Sequence, residues 1–436
     1  MDKKVFKRRR RGVMQLMGEG IAIIPTAPES HRNGDQSFTF RPDSDFFYLT
    51  QFPEPEAIVV LIPEKEKFIL FCRQRNAEKE TWDGRREGIE GAVKNFEADE
   101  AYPIDQFDDM LADLMQNQPK VFCNMGRYPH FDEKLIEAVT SLKMQKRAGI
   151  SAPAELVDIG PILHELRLFK RSEELRVMRR AAKITSKAHK RAMAVCKPGM
   201  FEYQIKAEVE HEFTYSGCTG PAYSSIVAGG INACILHYTE NTEELKSGDL
   251  LLIDAGCELD NYAADITRTF PVNGKFSAAQ KAVYDIVLKA QLAAIDKSRA
   301  GSQWNEPHDI SVKVITKGLR DLGLLNGKLN DLIESEAYKR FYMHRIGHWL
   351  GMDVHDVGDY KVDNIWRLLE PGMVMTIEPG IYINPAKDID KKWHGIGVRI
   401  EDNILITKGE PEVITNVPKT TEEIEAFMAQ HSADYK

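Results

Sequence analysis

No run of about 18 consecutive apolar residues, the minimum for a helix that crosses a bilayer, occurs in this sequence, and no membrane association is expected. Low-complexity tracts are also missing. Cysteine is scarce. The six, at 72, 123, 196, 218, 234 and 257, follow no spacing motif and read as reduced thiols of a cytoplasmic protein. Positive charge is in deficit, with 58 Lys and Arg against 66 Asp and Glu and a net charge of -8, which removes the global footprint of a nucleic-acid binder. The exception is local. The run from Lys7 to Arg11 reads as the solvated face of a first helix, with a targeting or RNA-binding segment as the other reading. It leads into Gly18, Glu19 and Gly20 rather than an apolar stretch, which disfavours a secretory or twin-arginine signal.

What is present is an ordinary globular composition, 43% hydrophobic and 28% charged over 436 residues, enough for two domains with separate cores. Residues 1–168 carry short apolar strands such as 57–62 and 68–72 among polar helical patterns, as in a small α/β domain. The stretch 149–153, Gly-Ile-Ser-Ala-Pro, has linker chemistry. Residues 169–436 form the second domain. Ser172 is expected to cap a helix with Leu175, Met178, Ala182, Thr185 and Ala188 at helical spacing. Further helices are expected over 201–215 and about 277–298. Curved antiparallel strands backed by these helices make an α+β fold.

The chemistry concentrates in that second domain. Leu250 to Gly256 reads as a buried strand carrying Asp254, and Asp265 to Phe270 reads as its partner, with the turn at Leu259, Asp260 and Asn261. Such a hairpin sets Asp254 roughly opposite Asp265. Two carboxylates so close repel, and one takes up a proton unless cations neutralise both. Downstream, 373–380 carries Glu378, and 397–403 alternates so that Arg399 and Glu401 share a face away from Val398 and Ile400. Arg399 there either braces an acidic cluster or makes a surface ion pair.

Between these acids, residues 342–356 hold His344, His348 and His355, and His237 lies in Ile-Leu-His-Tyr at 235–238. Singly, each could be a hydrogen-bonded core residue. Grouped beside carboxylates, they read as a ligand with proton-handling neighbours. His344 and His348 are four apart, but no Glu follows His344, which excludes a His-Glu-x-x-His zinc site. Four carboxylates and one imidazole, Asp254, Asp265, Glu378, Glu401 and His348, can hold two divalent ions. An oxygen-rich set favours Mn2+, with Co2+ or Zn2+ as substitutes.

The order of these five residues resembles the pita-bread dinuclear metallopeptidases. The resemblance rests on Ile-Asp-Ala-Gly at 253–256, Asp-Ile-Thr-Arg-Thr at 265–269, Gly-His-x-x-Gly at 347–351 with Val-His-Asp at 354–356, Glu-Pro-Gly at 378–380 and Arg-Ile-Glu-Asp at 399–402. The motifs at 43–50, 53–57, 164–170 and 234–241 extend it over nearly the whole chain, toward the aminopeptidase P branch. That branch hydrolyses the bond between an N-terminal residue and a following proline, so peptides with proline at the second position are the implied substrates. Prolidase is the nearer alternative, and a pita-bread binding module without activity the more distant one.

By this resemblance Asp254, Asp265 and Glu401 bind or bridge the two ions, and His348 and Glu378 complete one of them. Glu378 moves the proton, His355 and His237 stabilise the tetrahedral oxygen, His344 serves the substrate side, and Arg399 with Tyr382 fixes the carboxylates. The internal duplication of the pita-bread domain is likewise implied. So is a homo-oligomer, dimer or tetramer, in which the N-terminal domain restricts the cleft and Asp35, Arg41 and Trp82 reach a neighbouring subunit's site. Trp82 has a plain alternative as a partly buried aromatic. One departure stands out: relatives commonly carry glycine where this chain has Arg345. Its guanidinium either enters the cleft, or else stays in solvent or pairs with a local carboxylate.

Overall fold

A computed structural model describes residues 1–431 and divides the chain into two compact units, Met1–Leu166 and one beginning at Arg167. In the first unit, six strands form one sheet in the order Glu100–Pro103, Lys67–Cys72, Ile58–Ile62, Ile21–Pro25, Lys120–Cys123, Glu155–Asp158. The central strand Ile21–Pro25 runs antiparallel to Ile58–Ile62 and parallel to Lys120–Cys123. Both central strands are buried along their whole length, which explains their unbroken apolar sequence.

The basic run at 7–11 corrects the expectation of a solvated face. It lies in helix Lys3–Met17, but Arg9 and Arg10 are 4% and 3% exposed. Arg9 sits 4.0 Å above the Tyr48 ring and donates to Tyr48 O, while Arg10 sits 4.1 Å above Phe68 and donates to Leu49 O. Guanidinium groups tolerate this because the face stacks on a ring while the edge donates hydrogen bonds. Lys7, Arg8 and Arg11 remain outside.

In the second unit, long helices Ser172–Val195, Glu202–Tyr215, Ala278–Lys297 and Glu306–Asp321 bury apolar faces against short antiparallel sheets. Ser172 does not cap the first of them. Arg171 occupies the cap, and the Glu174 carboxylate folds back to accept from its N–H at 3.0 Å. Ser277 does cap its helix, accepting from Gln280 N at 3.2 Å. One sheet joins Ile226–Gly229, Leu250–Asp254 and Thr267–Pro271, and another joins Val374–Ile377, Asp402–Leu405 and Glu412–Val413. The pair Gly380–Ile383 with Ile396–Arg399 lies between Val374–Ile377 and Asp402–Leu405 in sequence.

A buried ionic cluster ties these sheets to the helices. Asp402 accepts from Arg268 Nη2, Lys419 Nζ and Gln291 Nε2 at 2.7 Å each, and from Thr415 Oγ1 at 2.6 Å. Burial would raise its pKa, but Arg268 and Lys419 outweigh it and hold the carboxyl below the usual range. Removing one partner of such a cluster leaves a buried charge uncompensated. Asp402→Ala should therefore cost about 3–5 kcal/mol, read as a lowered urea midpoint at pH 7. Because the folded pKa is depressed, the contribution is complete above the unfolded value of about 4 and fades as pH falls below it. A variant whose midpoint equals that of the parent at pH 7 contradicts this account.

Candidate metal centre

The four acids stand at the ends of strands, where the ladder stops and side chains converge. Strand Leu250–Asp254 pairs with Thr267–Pro271 so that Asp254 faces Thr267, not Asp265. The expected register is corrected because 257–263 folds back as its own hairpin, Cys257–Leu259 on Tyr262–Ala263. Its turn is where the sequence placed it, with Asp260 and Asn261 at φ 50 and 62, the left-handed pair that suits a two-residue turn. Gly256 makes the fold-back possible, since a Cβ there would lie 1.7 Å from Ala264 O. In the other half, Ile377 faces Asp402, which leaves Glu378 just past one strand and Glu401 just before its partner.

Tyr223 then draws the first two acids together. Its hydroxyl lies 2.7 Å from Asp254 Oδ1 and in a shorter contact with Asp265 Oδ1. A hydroxyl has one proton to give, so two carboxylates around it call for a further proton or a cation. Glu401 accepts from Thr267 Oγ1 at 2.8 Å, and Glu378 from Thr376 Oγ1 at 3.3 Å. Arg399 braces the cluster, donating to Asp254 Oδ2 at 2.7 Å, to Tyr382 Oη at 3.0 Å and to Thr267 Oγ1 at 3.2 Å. Of the two readings for Arg399, the surface ion pair is the one that fails, since the residue is 3% exposed.

The histidine segment is laid along the strand that carries Glu378. Glu378 N donates to Ile346 O at 2.7 Å, Thr376 N to His348 O at 2.9 Å and Leu350 N to Val374 O at 3.0 Å. Gly347 permits this approach, because a Cβ there would stand 2.0 Å from Thr376 O. His348 Nδ1 donates to Trp349 O at 2.9 Å, which fixes its tautomer and leaves the Nε2 lone pair free. That nitrogen lies 3.4 Å from Asp265 Oδ2 and 3.6 Å from Glu378 Oε1. Ligand atoms of Asp265, His348 and Glu401 all fall within 4.8 Å of one another.

The electrostatics match this donor set. Burial first, and then the charge of Asp254, pushes the Asp265 carboxyl well above its usual range. Glu401 is raised in the same way by burial and Asp265, and Glu378 is pushed up to about 8 by burial and Glu401. Four clustered carboxylates served by one guanidinium, beside an imidazole with its lone pair aimed inward, fit divalent cations.

Around the acids lies a cavity of about 460 Å³ that also takes in His237, His344, Arg345 and His355. The His355 ring stands 4.3 Å from that of His348, and burial lowers its pKa. Its neighbour Asp356 is clamped by Arg167 at 2.7 Å and Lys170 at 2.9 Å, which gives the 164–170 motif a purpose. His344 Nδ1 donates to Arg345 O at 2.8 Å, so its Nε2 accepts from Tyr382 Oη at 2.9 Å. Burial pulls His344 down to about 3 and keeps it neutral.

Of the residues expected in the N-terminal unit, Trp82 is 84% exposed, which overturns the partly buried alternative. Asp35 is exposed in the hairpin that pairs His31–Asn33 with Gln36–Ser37, and Arg41 is half-buried and donates to Ser44 Oγ at 3.0 Å. Sequence reasoning missed Tyr223, Thr267 and Thr376. It also missed His189, whose buried Nε2 lies 3.0 Å from Ala255 O beside Asp254. The two threonines sit in strands already marked by their acids and could have been found by period-two alternation. Tyr223 reaches the site, and His189 the backbone behind it, from distant segments, and neither left a local signal.

Comparison with known proteins follows the two units. The model of metallopeptidase family M24 matches residues 176–408, and that of the aminopeptidase P N-terminal domain matches residues 6–122. The Xaa-Pro aminopeptidases of Escherichia coli and Haemophilus influenzae are each 44% identical to this chain over 98% of it and 98% of their own length. The structure of Pseudomonas aeruginosa aminopeptidase PepP superposes with a TM-score of 0.98 at 52% identity, covering 99% of both chains.

A donor set of this kind predicts that divalent cations stabilise the fold directly. Adding Mn2+ to metal-stripped protein at 100 times its Kd should contribute about 2.7 kcal/mol and raise Tm, whereas Asp265→Asn should lose most of that shift. A Tm insensitive to Mn2+, Co2+ and Zn2+ rules the site out as a metal centre.

Proposed function

We propose, for a chain that belongs to metallopeptidase family M24, that the residues gathered at these strand ends perform Xaa-Pro aminopeptidase chemistry in the roles given below. The activity is hydrolysis of the bond between an N-terminal residue and a following proline, in peptides with proline at the second position. The observation that carries the assignment of residues is the convergence of Asp254, Asp265, His348, Glu378 and Glu401 on one cavity with three further histidines in its wall.

Asp254, Asp265 and Glu401 would hold two divalent ions, with His348 and Glu378 completing the ligand set, and Mn2+ is the metal proposed for this oxygen-rich set. When bound, the ions lower the pKa of water and polarise the scissile carbonyl. Glu378, in the cavity wall beside His348, accepts the water proton and delivers it to the prolyl nitrogen. This delivery matters because a peptide bond to proline has no N–H and its nitrogen must be protonated to leave. His355 and His237 donate to the oxygen on which charge develops. Arg399 and Tyr382 hold Asp254 in place, and the neutral His344 accepts the Tyr382 proton, fixing the direction of that hydrogen bond.

The exposed Trp82, with the hairpin that bears Asp35 and the nearby Arg41, supports a homo-oligomer, dimer or tetramer, in which these residues reach a neighbouring subunit's site. Six buried free cysteines support a cytoplasmic location.

Chelation should abolish turnover of Xaa-Pro-Yaa peptides, and Mn2+ should restore it more fully than Co2+ or Zn2+. Full activity in protein proven metal-free by elemental analysis defeats the mechanism. Turnover of Xaa-Pro dipeptides alone would point to a dipeptidase instead.

His355→Ala should lower kcat by about 10²- to 10³-fold, the usual loss for one donor to a developing oxyanion, while metal content stays at the parent level. Stoichiometric loss of an ion from this variant would make His355 a ligand.

A further inference from the structure

The cavity wall contains two arginines, and they differ in one respect. Arg399 is committed to Asp254, Tyr382 and Thr267. Arg345 has no carboxylate at ion-pair distance among the described residues, although its side chain is exposed at the cavity. Asp309, the acid whose charge it influences, accepts instead from Asn305 Nδ2 at 2.8 Å.

Arg345 is nevertheless held in place. Its guanidinium carbon lies 5.0 Å from the centroid of the Trp366 ring, and Trp366 packs on the buried cluster of Trp304, Trp349 and Leu369. Its backbone carbonyl is fixed by His344 Nδ1 at 2.8 Å. A guanidinium laid over an aromatic ring uses its face and keeps its edge of N–H donors available, the geometry that receives a carboxylate through two parallel hydrogen bonds. Pinning in advance also lowers the entropy lost when a ligand is bound.

We propose that Arg345 is a specificity residue that binds a substrate carboxylate beyond the proline, so that this chain prefers short peptides ending there or peptides with an acidic side chain there. This rests on the aminopeptidase reading above. The acids of the site need cations for themselves, which leaves the Arg345 edge as the one positive group in the cavity wall, among the described residues, that no protein carboxylate occupies. The C-terminal carboxylate of a tripeptide and an aspartate or glutamate side chain offer the same planar anion.

The test uses manganese-loaded full-length protein and three peptides: Ala-Pro-Ala as the free acid, its C-terminal amide, and Ala-Pro-Glu amide. Parent enzyme should show KM lower by about 10-fold for one or both carboxylate-bearing peptides than for the Ala-Pro-Ala amide, the worth of one charge-assisted pair. Preference for the free acid alone assigns the C-terminal carboxylate, and preference for the glutamyl amide alone assigns the side chain. In Arg345→Gly and Arg345→Met the ratio should fall to about 1 through KM. Arg345→Lys should keep part of it, and manganese content should match the parent in all three. Arg345→Met retains the apolar stem and a residue with an ordinary backbone, so a loss shared by both neutral variants reports charge rather than loop collapse. Carboxylate-to-amide ratios that stay the same in parent and neutral variants overturn the proposal while the aminopeptidase reading stands. If no Xaa-Pro peptide is cleaved by the parent at all, it is that underlying reading that fails.

Discussion

The structure depends on one constraint: carboxylates gathered in a buried site need counter-charge. Asp265 and Glu401 are 5% and 1% exposed, and the chain supplies the group with a single guanidinium, that of Arg399. In that setting each carboxylate raises the proton affinity of its neighbours, and no rearrangement of the remaining hydroxyl donors repairs the imbalance. Burying them is costly by itself. Divalent cations would offset that cost, which is how a fold can make a buried carboxylate site select hard cations.

The scaffold maintains this cost by placing all four acids where antiparallel ladders end. At such positions the backbone is still held on one side while the side chain points into open space, so geometry is fixed without filling the site. Glycines 256 and 347 do the corresponding work for the backbone, allowing main chain to pass within contact distance of Ala264 O and Thr376 O. The histidine segment then runs alongside the strand that leads into Glu378, and main-chain hydrogen bonds together with the buried Ile346 and Trp349 set the position of His348. Behind His355, the Arg167, Lys170 and Asp356 cluster anchors the segment with charges of the chain's own.

Much of this was legible in the sequence. The five proposed ligands lie in compact local signatures, and the helices over 202–215 and 278–297 match the expected spans within a residue, since Pro198, Gly199, Gly217 and Gly301 mark their surroundings. What was misread depended on distant partners. Arg9 and Arg10 read as solvated because no local pattern announces that Tyr48 and Phe68 will cover them. A simple hairpin sets Asp254 against Asp265, whereas residues 257–263 form a second hairpin inside it. Tyr223 was invisible since a lone tyrosine before a strand carries no signature, and only the fold brings its hydroxyl between two acids.

Adjacent acids in this chain show how function separates from structure. Glu401 and Asp402 are consecutive and both buried, yet they face opposite sides of the backbone. Asp402 is met by Arg268 and Lys419, and its carboxyl is held below the usual range. Glu401 is met by a threonine hydroxyl and by other acids, and its carboxyl is held well above that range. One residue is neutralised by the chain and fastens the sheets to the helices. The other is left short of positive charge, a shortage that the proposed divalent cations would fill. The direction of the pKa shift, not burial or the identity of the residue, distinguishes the two roles.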